Sequence, residues 1–118
     1  MLRDCYLDML EFCRVENAVR HGCEPDNPTV LGAYLAMSNN IAELLDVGQN
    51  KRAIYLRVAN TLLETICDTY IPRHWRTLCL DNIYQPIFAA QKHSHNECDL
   101  AELRSFNHQL NTLGKYFL

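Results

Sequence analysis

An all-α single domain, an antiparallel bundle of about five helices, is what this sequence predicts, and three observations predict it. Apolar residues return every three or four positions through most of the chain. Glycine and proline punctuate it at intervals close to one helix length. No stretch alternates polar and β-branched residues as a half-buried strand would. With 118 residues the chain is one domain, 1–118, and can bury roughly two thirds of its unfolded surface.

The first helix is expected over about 2–21. Leu2, Cys5, Met9, Phe12 and Val19 recur on one side, joined by Tyr6, Leu10 and Cys13, and Gly22 can end it in the left-handed conformation. Asn27 before Pro28 reads as an N-cap and first helical residue, since a proline there gives up no bond. The second helix then runs over about 28–47 on a stripe of Leu31, Tyr34, Met37, Ile41, Leu44 and Leu45, with Gly48 ending it. Asn50 is placed to cap a third helix over about 51–70, with Leu56, Ala59, Leu62, Leu63, Ile66 and Cys67 inward. A fourth segment, 73–91, holds Trp75, Leu78, Cys79, Ile83, Tyr84, Ile87 and Phe88, and Pro86 inside it predicts a kink or two shorter helices. Leu100, Leu103, Phe106, Leu110, Leu113 and Phe117 mark the last helix. The core expected from these stripes includes Met9, Phe12, Leu44, Leu62, Ile66, Leu103, Phe106 and Leu110.

The stretch IAELLDVGQNKRAIYL, residues 41–56, is similar to the middle of a tetratricopeptide repeat: a helix, a glycine turn at Gly48, then Ala53 and Ile54 opening the next helix. The resemblance covers one hairpin and implies a helical surface of a kind that binds proteins.

Several classes are excluded or disfavoured. The longest apolar runs are a few residues, against about 20 needed to cross a bilayer, and Arg3, Asp4 and Asp8 interrupt the start where a secretory signal would be apolar. The expectation is therefore a cytoplasmic protein with no membrane partner. Its six cysteines are then read as thiols, Cys5, Cys13, Cys67 and Cys79 within apolar patterns and Cys23 and Cys98 in polar connections.

KHSHNECD, residues 92–99, is the densest run of ligand-type side chains. Asp99 followed by Glu102 has the spacing of a capping box, so the expected role is a bend that starts the last helix. A zinc site would need His93, His95 and Cys98 plus a fourth ligand, with His21 or Cys23 as donor. Alternating helices of about 18 residues put those two connections roughly 27 Å apart, so neither metal nor any other cofactor is expected.

Charge is unevenly spread. Residues 1–50 hold three basic and eight acidic side chains, a net of −5; residues 51–76 hold Lys51, Arg52, Arg57, Arg73 and Arg76 against Glu64 and Asp68, a net of +3. The simplest reading matches an acidic first helix to basic third and fourth ones, with Trp75 as a core anchor. The sharper reading takes Arg57, Arg73, Trp75 and Arg76 as a partner-binding patch, because Trp and Arg dominate binding hot spots.

The leading expectation is a non-catalytic protein–protein interaction module: an adaptor, inhibitor, immunity-type or secretion-chaperone-type protein. A nucleic-acid-binding regulator using Lys51, Arg52, Arg57, Arg73 and Arg76 is the alternative, opposed by a pI near 5.9. A small helical nuclease or metal-dependent hydrolase built on Arg104 and His108, or on the 93–98 cluster, stands third. A homodimer through the last helix is also open.

Overall fold

The computed structural model describes residues 2–118, with side chains from Asp8 onward; the expected inward positions Leu2, Cys5 and Tyr6 lie outside those side chains. Six helices account for 80% of the chain and no strand occurs among the described residues, which establishes the all-α class. They are α1 (Leu2–Arg20), α2 (Pro28–Leu44), α3 (Gly48–Ile66), α4 (Arg73–Asn82), α5 (Tyr84–Lys92) and α6 (Glu97–Phe117).

Gly22 follows α1 with φ +55°. A Cβ there would sit 2.9 Å from Ile71 Cγ2 and 3.3 Å from Trp75 Cδ1, so both backbone and close approach require glycine. The Asn27 side chain caps α2 by accepting from the Thr29 amide at 3.2 Å, with Pro28 in the first turn.

Other boundaries differ from the sequence expectation, each for a local reason. The second helix stops at Leu44 rather than 47, where Lys51 Nζ reaches back to the Ala42 carbonyl at 2.7 Å. Gly48 begins α3 instead of ending α2, and Asn50 lies inside α3 instead of capping it. The third helix ends at Ile66, not 70; the chain turns through Asp68, whose carboxylate accepts from the Tyr70 amide at 3.0 Å. The fourth segment is two helices. A proline ring collides with the carbonyl four residues earlier, here Asn82, and α4 stops at that residue. Pro86 becomes the third residue of α5, where a missing N–H loses no helical bond.

The last helix starts at Glu97, and its N-cap is Asn96, which accepts from the Asp99 amide at 2.8 Å. Asp99 is therefore a first-turn residue rather than the cap. Its carboxylate turns sideways and accepts from Gln49 Nε2 at 2.7 Å.

α3 touches every other helix. Gly22 packs at the end of α3 near Ile71, whereas His93 Nδ1 lies beside Gly48 at its start. The two polar connections thus occupy opposite ends of a 19-residue helix, about 28 Å apart. α1, α3 and α6 run one way; α2 and the α4–α5 pair run the other. The Cα envelope is 39 × 35 × 15 Å, a slab two helices thick. A slab leaves outer helix faces uncovered.

Phe12, Leu62, Ile66, Leu103, Phe106 and Leu110 are buried as expected, and Met9 packs partly against them. Leu44 is a correction: it is 59% exposed, because it lies in the last turn of α2 on a side that no other helix covers. Trp75 is the largest fully buried side chain, and Phe12 and Tyr34 stack with ring centroids 5.2 Å apart.

The five cysteines among the described side chains are free; Cys23 and Cys98 are exposed as expected, Cys67 is half-buried and Cys79 is buried. Cys13, expected inward, is exposed on the seam between α1 and α3. Burial pushes the Cys79 thiol from an ordinary 9.0 up to about 12. The folded protein should therefore show Cys13, Cys23 and Cys98 reacting rapidly with a thiol reagent and Cys79 only on unfolding; mass spectrometry of quenched labelling checks this. The unfolded chain releases the Cys79 proton first, so this stabilisation is whole below pH 9 and is lost as pH rises toward about 12.

Candidate functional site

Three helices run in one direction, so their C-terminal carbonyls gather at one end of the slab. The sequence RHWR, residues 73–76, opens α4 at that end and supplies the missing donors. Arg76 is 8% exposed; its Nε donates to the Ile71 carbonyl at 3.0 Å and its Nη1 to those of Ile66 and Phe117 at 3.4 and 3.1 Å. Trp75 Nε1 donates to the Val19 carbonyl at 2.9 Å, in the last turn of α1. Arg73 Nη2 donates to the Leu118 carbonyl at 2.7 Å, and His74 Nε2 lies 2.9 Å from Asp26 Oδ1 in the α1–α2 connection. Orphan carbonyls and the negative ends of three helix dipoles are met by one short motif. Trp75 and Arg76 are consequently buried, whereas Arg73 and part of Arg57, the other two side chains expected in a partner-binding patch, stay at the surface.

The opposite end is organised by Arg52, a second basic residue expected at the surface and found 6% exposed. Its Nε donates to Ser94 Oγ at 2.8 Å, its Nη2 to the Asp99 carbonyl at 3.0 Å and to Glu102 Oε1 at 2.8 Å. Ser94 in turn donates to the Ala90 carbonyl, closing α5. KHSHNECD is thus the bend between α5 and α6, fastened to α3. His93 stacks on Tyr55 with centroids 6.2 Å apart, while His95 and Cys98 are exposed. No group of three or more His, Cys, Asp or Glu side chains that could hold a metal ion exists among the described residues.

Arg57 lies on the α1–α3 seam. Its Nη2 donates to Glu16 Oε1 at 2.8 Å and to Cys13 Sγ at 3.4 Å, and its guanidinium lies 5.1 Å from the centroid of the Phe12 ring. Tyr34 also donates to Glu16; burial, then that bond, pushes the phenol well above its ordinary range. Farther along the same seam Arg20 donates to Asp68 at 2.9 Å and holds its carboxyl below the usual value. Lys51, Arg52, Arg57, Arg73 and Arg76 are therefore all engaged within the fold, and the charge match between α1 and α3 carries much of the pattern seen in sequence. Arg104 pairs with Glu97 on the exposed face of α6, and His108 is exposed on the same helix.

A different surface emerges along the outer seam of α1 and α2. A groove lined by Glu11, Val15, Ala18, Glu24, Val30, Ala33 and Met37 continues past Met37 to Asp8 and Ile41. From Val30 to Ile41 it spans about 16 Å of helix. The reason lies in α2, which has a single charged residue, Glu43, among its 17. Leu31, Tyr34, Leu35, Ser38, Ile41 and Ala42 face the core. Val30, Ala33, Met37 and Leu44 follow three-, four- and seven-residue steps on a neighbouring face; Ala33 and Leu44 are exposed, while Val30 and Met37 are half-buried against the edge of the core. A solvated helix carries charge there.

The chain matches no family model, no curated protein and no solved structure.

None of the four side chains expected to bind a partner lines this groove; Arg57 sits on the other edge of α1. The signal that could have found it is the near absence of charge in residues 28–44, which periodicity alone counted as core. A second apolar surface, Tyr84 with the 62% exposed Phe88 on α5, adjoins a shorter depression against α6 formed by Ile87, Leu100, Leu103 and Arg104.

Proposed function

We propose that the protein is a non-catalytic interaction module that binds a partner protein along the α1–α2 groove. The observation that carries this reading is the uncharged outer stripe of α2, facing an open seam where a solvated helix would carry charge. Helix-in-groove docking is the recognition mode that such a seam suits. No described helix is long and apolar enough to cross a membrane. The free thiols fit a reducing compartment, and we place the protein in the cytoplasm. We favour protein binding over a nucleic-acid reading because Arg52 and Arg76, two of the five cations in the basic segment, are buried within the fold.

A photo-crosslinking residue placed at Ala33, expressed in the cell that makes the protein, should form a discrete adduct with another protein. The same residue at Asn111, exposed on α6, should not. Absence of any adduct from position 33, or equal adducts from both positions, counts against the reading.

A further inference from the structure

We infer that the occupant of the α1–α2 groove is a cationic amphipathic helix of the partner protein. This deepens the reading above and rests on it. The partner's apolar stripe lies along Val30, Ala33 and Met37, and its Lys or Arg side chains meet carboxylates on the rim.

Shape sets the first condition. Ala18 and Ala33 are the small members of the lining, so a helix can approach closely over their Cβ atoms. The groove's length of about 16 Å corresponds to about three helical turns, enough for apolar anchors at i, i+3 or i+4, and i+7.

Charge sets the second. The rim carries Asp8, Glu11 and Glu24 against Arg14 alone, and Arg14 is already bonded to Glu11. Among the described residues no cation pairs with Asp8 or Glu24. The one charge on α2, Glu43, has the same sign, and residues 1–50 hold eight acids against three bases. An incoming cationic helix gains at Asp8 and Glu24, whereas an acidic helix or an anionic lipid surface is repelled. A second copy of the chain is a poor occupant for the same reason. Its net charge is −3, and the side chains of its basic segment are spent on its own helix ends and ion pairs.

The test titrates the intact protein with three synthetic peptides of about 18 residues, long enough to fold on a surface. One is a Leu/Lys amphipathic helix, one a Leu/Glu helix of the same pattern, and one a scrambled Leu/Lys peptide. Two variants accompany them. Ala33→Trp fills the groove floor from an exposed position. The pair Asp8→Lys with Glu24→Lys reverses the rim and leaves the floor intact; both sites are exposed, so this pair carries the test if Ala33→Trp alters the circular dichroism.

The expected result is binding of the Leu/Lys helix in preference to both other peptides. Affinity should fall about tenfold in Ala33→Trp, as for loss of a central contact. It should fall similarly in the rim reversal, which should instead gain affinity for the Leu/Glu helix. Raising salt from about 0.05 to about 0.3 M should weaken the wild-type complex. Equal binding of the Leu/Glu or scrambled peptide, or affinity unchanged in both variants, overturns the cationic-helix assignment. So does a dimer that Ala33→Trp dissolves, or anionic vesicle binding that Ala33→Trp abolishes. A peptide failure accompanied by a protein adduct at position 33 overturns the charge class and leaves the interaction reading standing; loss of that adduct strikes the reading itself.

Discussion

Trp75→Ala is expected to lower stability by about 3–5 kcal/mol, and the melting midpoint by roughly 10–20 °C for a domain of this size. Trp75 is 0% exposed and is the largest fully buried side chain. Its removal opens a cavity where α1, α4 and the α3–α4 turn meet, next to Gly22 and Ile71. It also strips the Nε1 donor from the Val19 carbonyl. Against a total of about 5–15 kcal/mol for a natural domain, this is from about a fifth of the stability to all of it. Trp75→Phe separates the two contributions. It keeps most of the apolar volume and loses the donor, so its cost should be about 1–3 kcal/mol. Chemical denaturation of the three proteins measures both. A Trp75→Ala midpoint within error of wild type would mean that this side chain is not the anchor described here.

Arg76→Met is expected to cost about 2–4 kcal/mol and to loosen the end of α6 specifically. Methionine keeps the apolar stem and approximate length but donates nothing. The carbonyls of Ile71, Ile66 and Phe117 then lose their shared guanidinium, and the C-terminal ends of α3 and α6 lose the positive charge facing them. Desolvating a lone guanidinium is itself costly, and replacing a buried ion together with its partners can be neutral. Here the partner carbonyls remain, so the loss of hydrogen bonds wins. Arg76→Lys should recover only part of the stability, because one ammonium cannot span the acceptors met by the guanidinium fork. Hydrogen exchange at the amides of Leu113 to Phe117 gives the local readout. Faster exchange there than in α2 is the expected pattern, and uniform protection together with an unchanged denaturation midpoint would contradict it.

Both predictions concern residues of one motif, RHWR, that sequence alone reads in two ways. RHWR has the composition of a binding hot spot, and composition does not say which way a helix faces. Trp75 could be recognised as a core anchor from its size alone. Arg76 could not, because the reason for burying it is the convergence of the α3 and α6 C-termini, elements separated by most of the second half of the chain. Arg52 is similar: its acceptors at Ser94, Asp99 and Glu102 lie 42 to 50 positions away. The cap of α6 is settled by a more local contest. Asn96 and Asp99 are both good capping residues three positions apart, and the choice fell to Asn96 because Asp99 is drawn off toward Gln49 and Arg52. Within the 92–99 run, Ser94 and Asp99 are fastened to α3, while His95 and Cys98 stay exposed.

Local chemistry alone determined the helical class, the glycine stop at residue 22, the Asn27–Pro28 start of α2 and the break imposed by Pro86. These depend on backbone sterics and on apolar periods shorter than one element, which any window of the chain contains. Tertiary structure alone decided which cations turn inward and which apolar stripe remains only partly covered. α2 carries more apolar surface than one core can use, and only the placement of α1 beside it, in a slab two layers thick, leaves Val30, Ala33 and Met37 along an open seam. The physical reason is that burial is a property of what packs against a residue, and five of the six helices that settle it lie elsewhere in the chain.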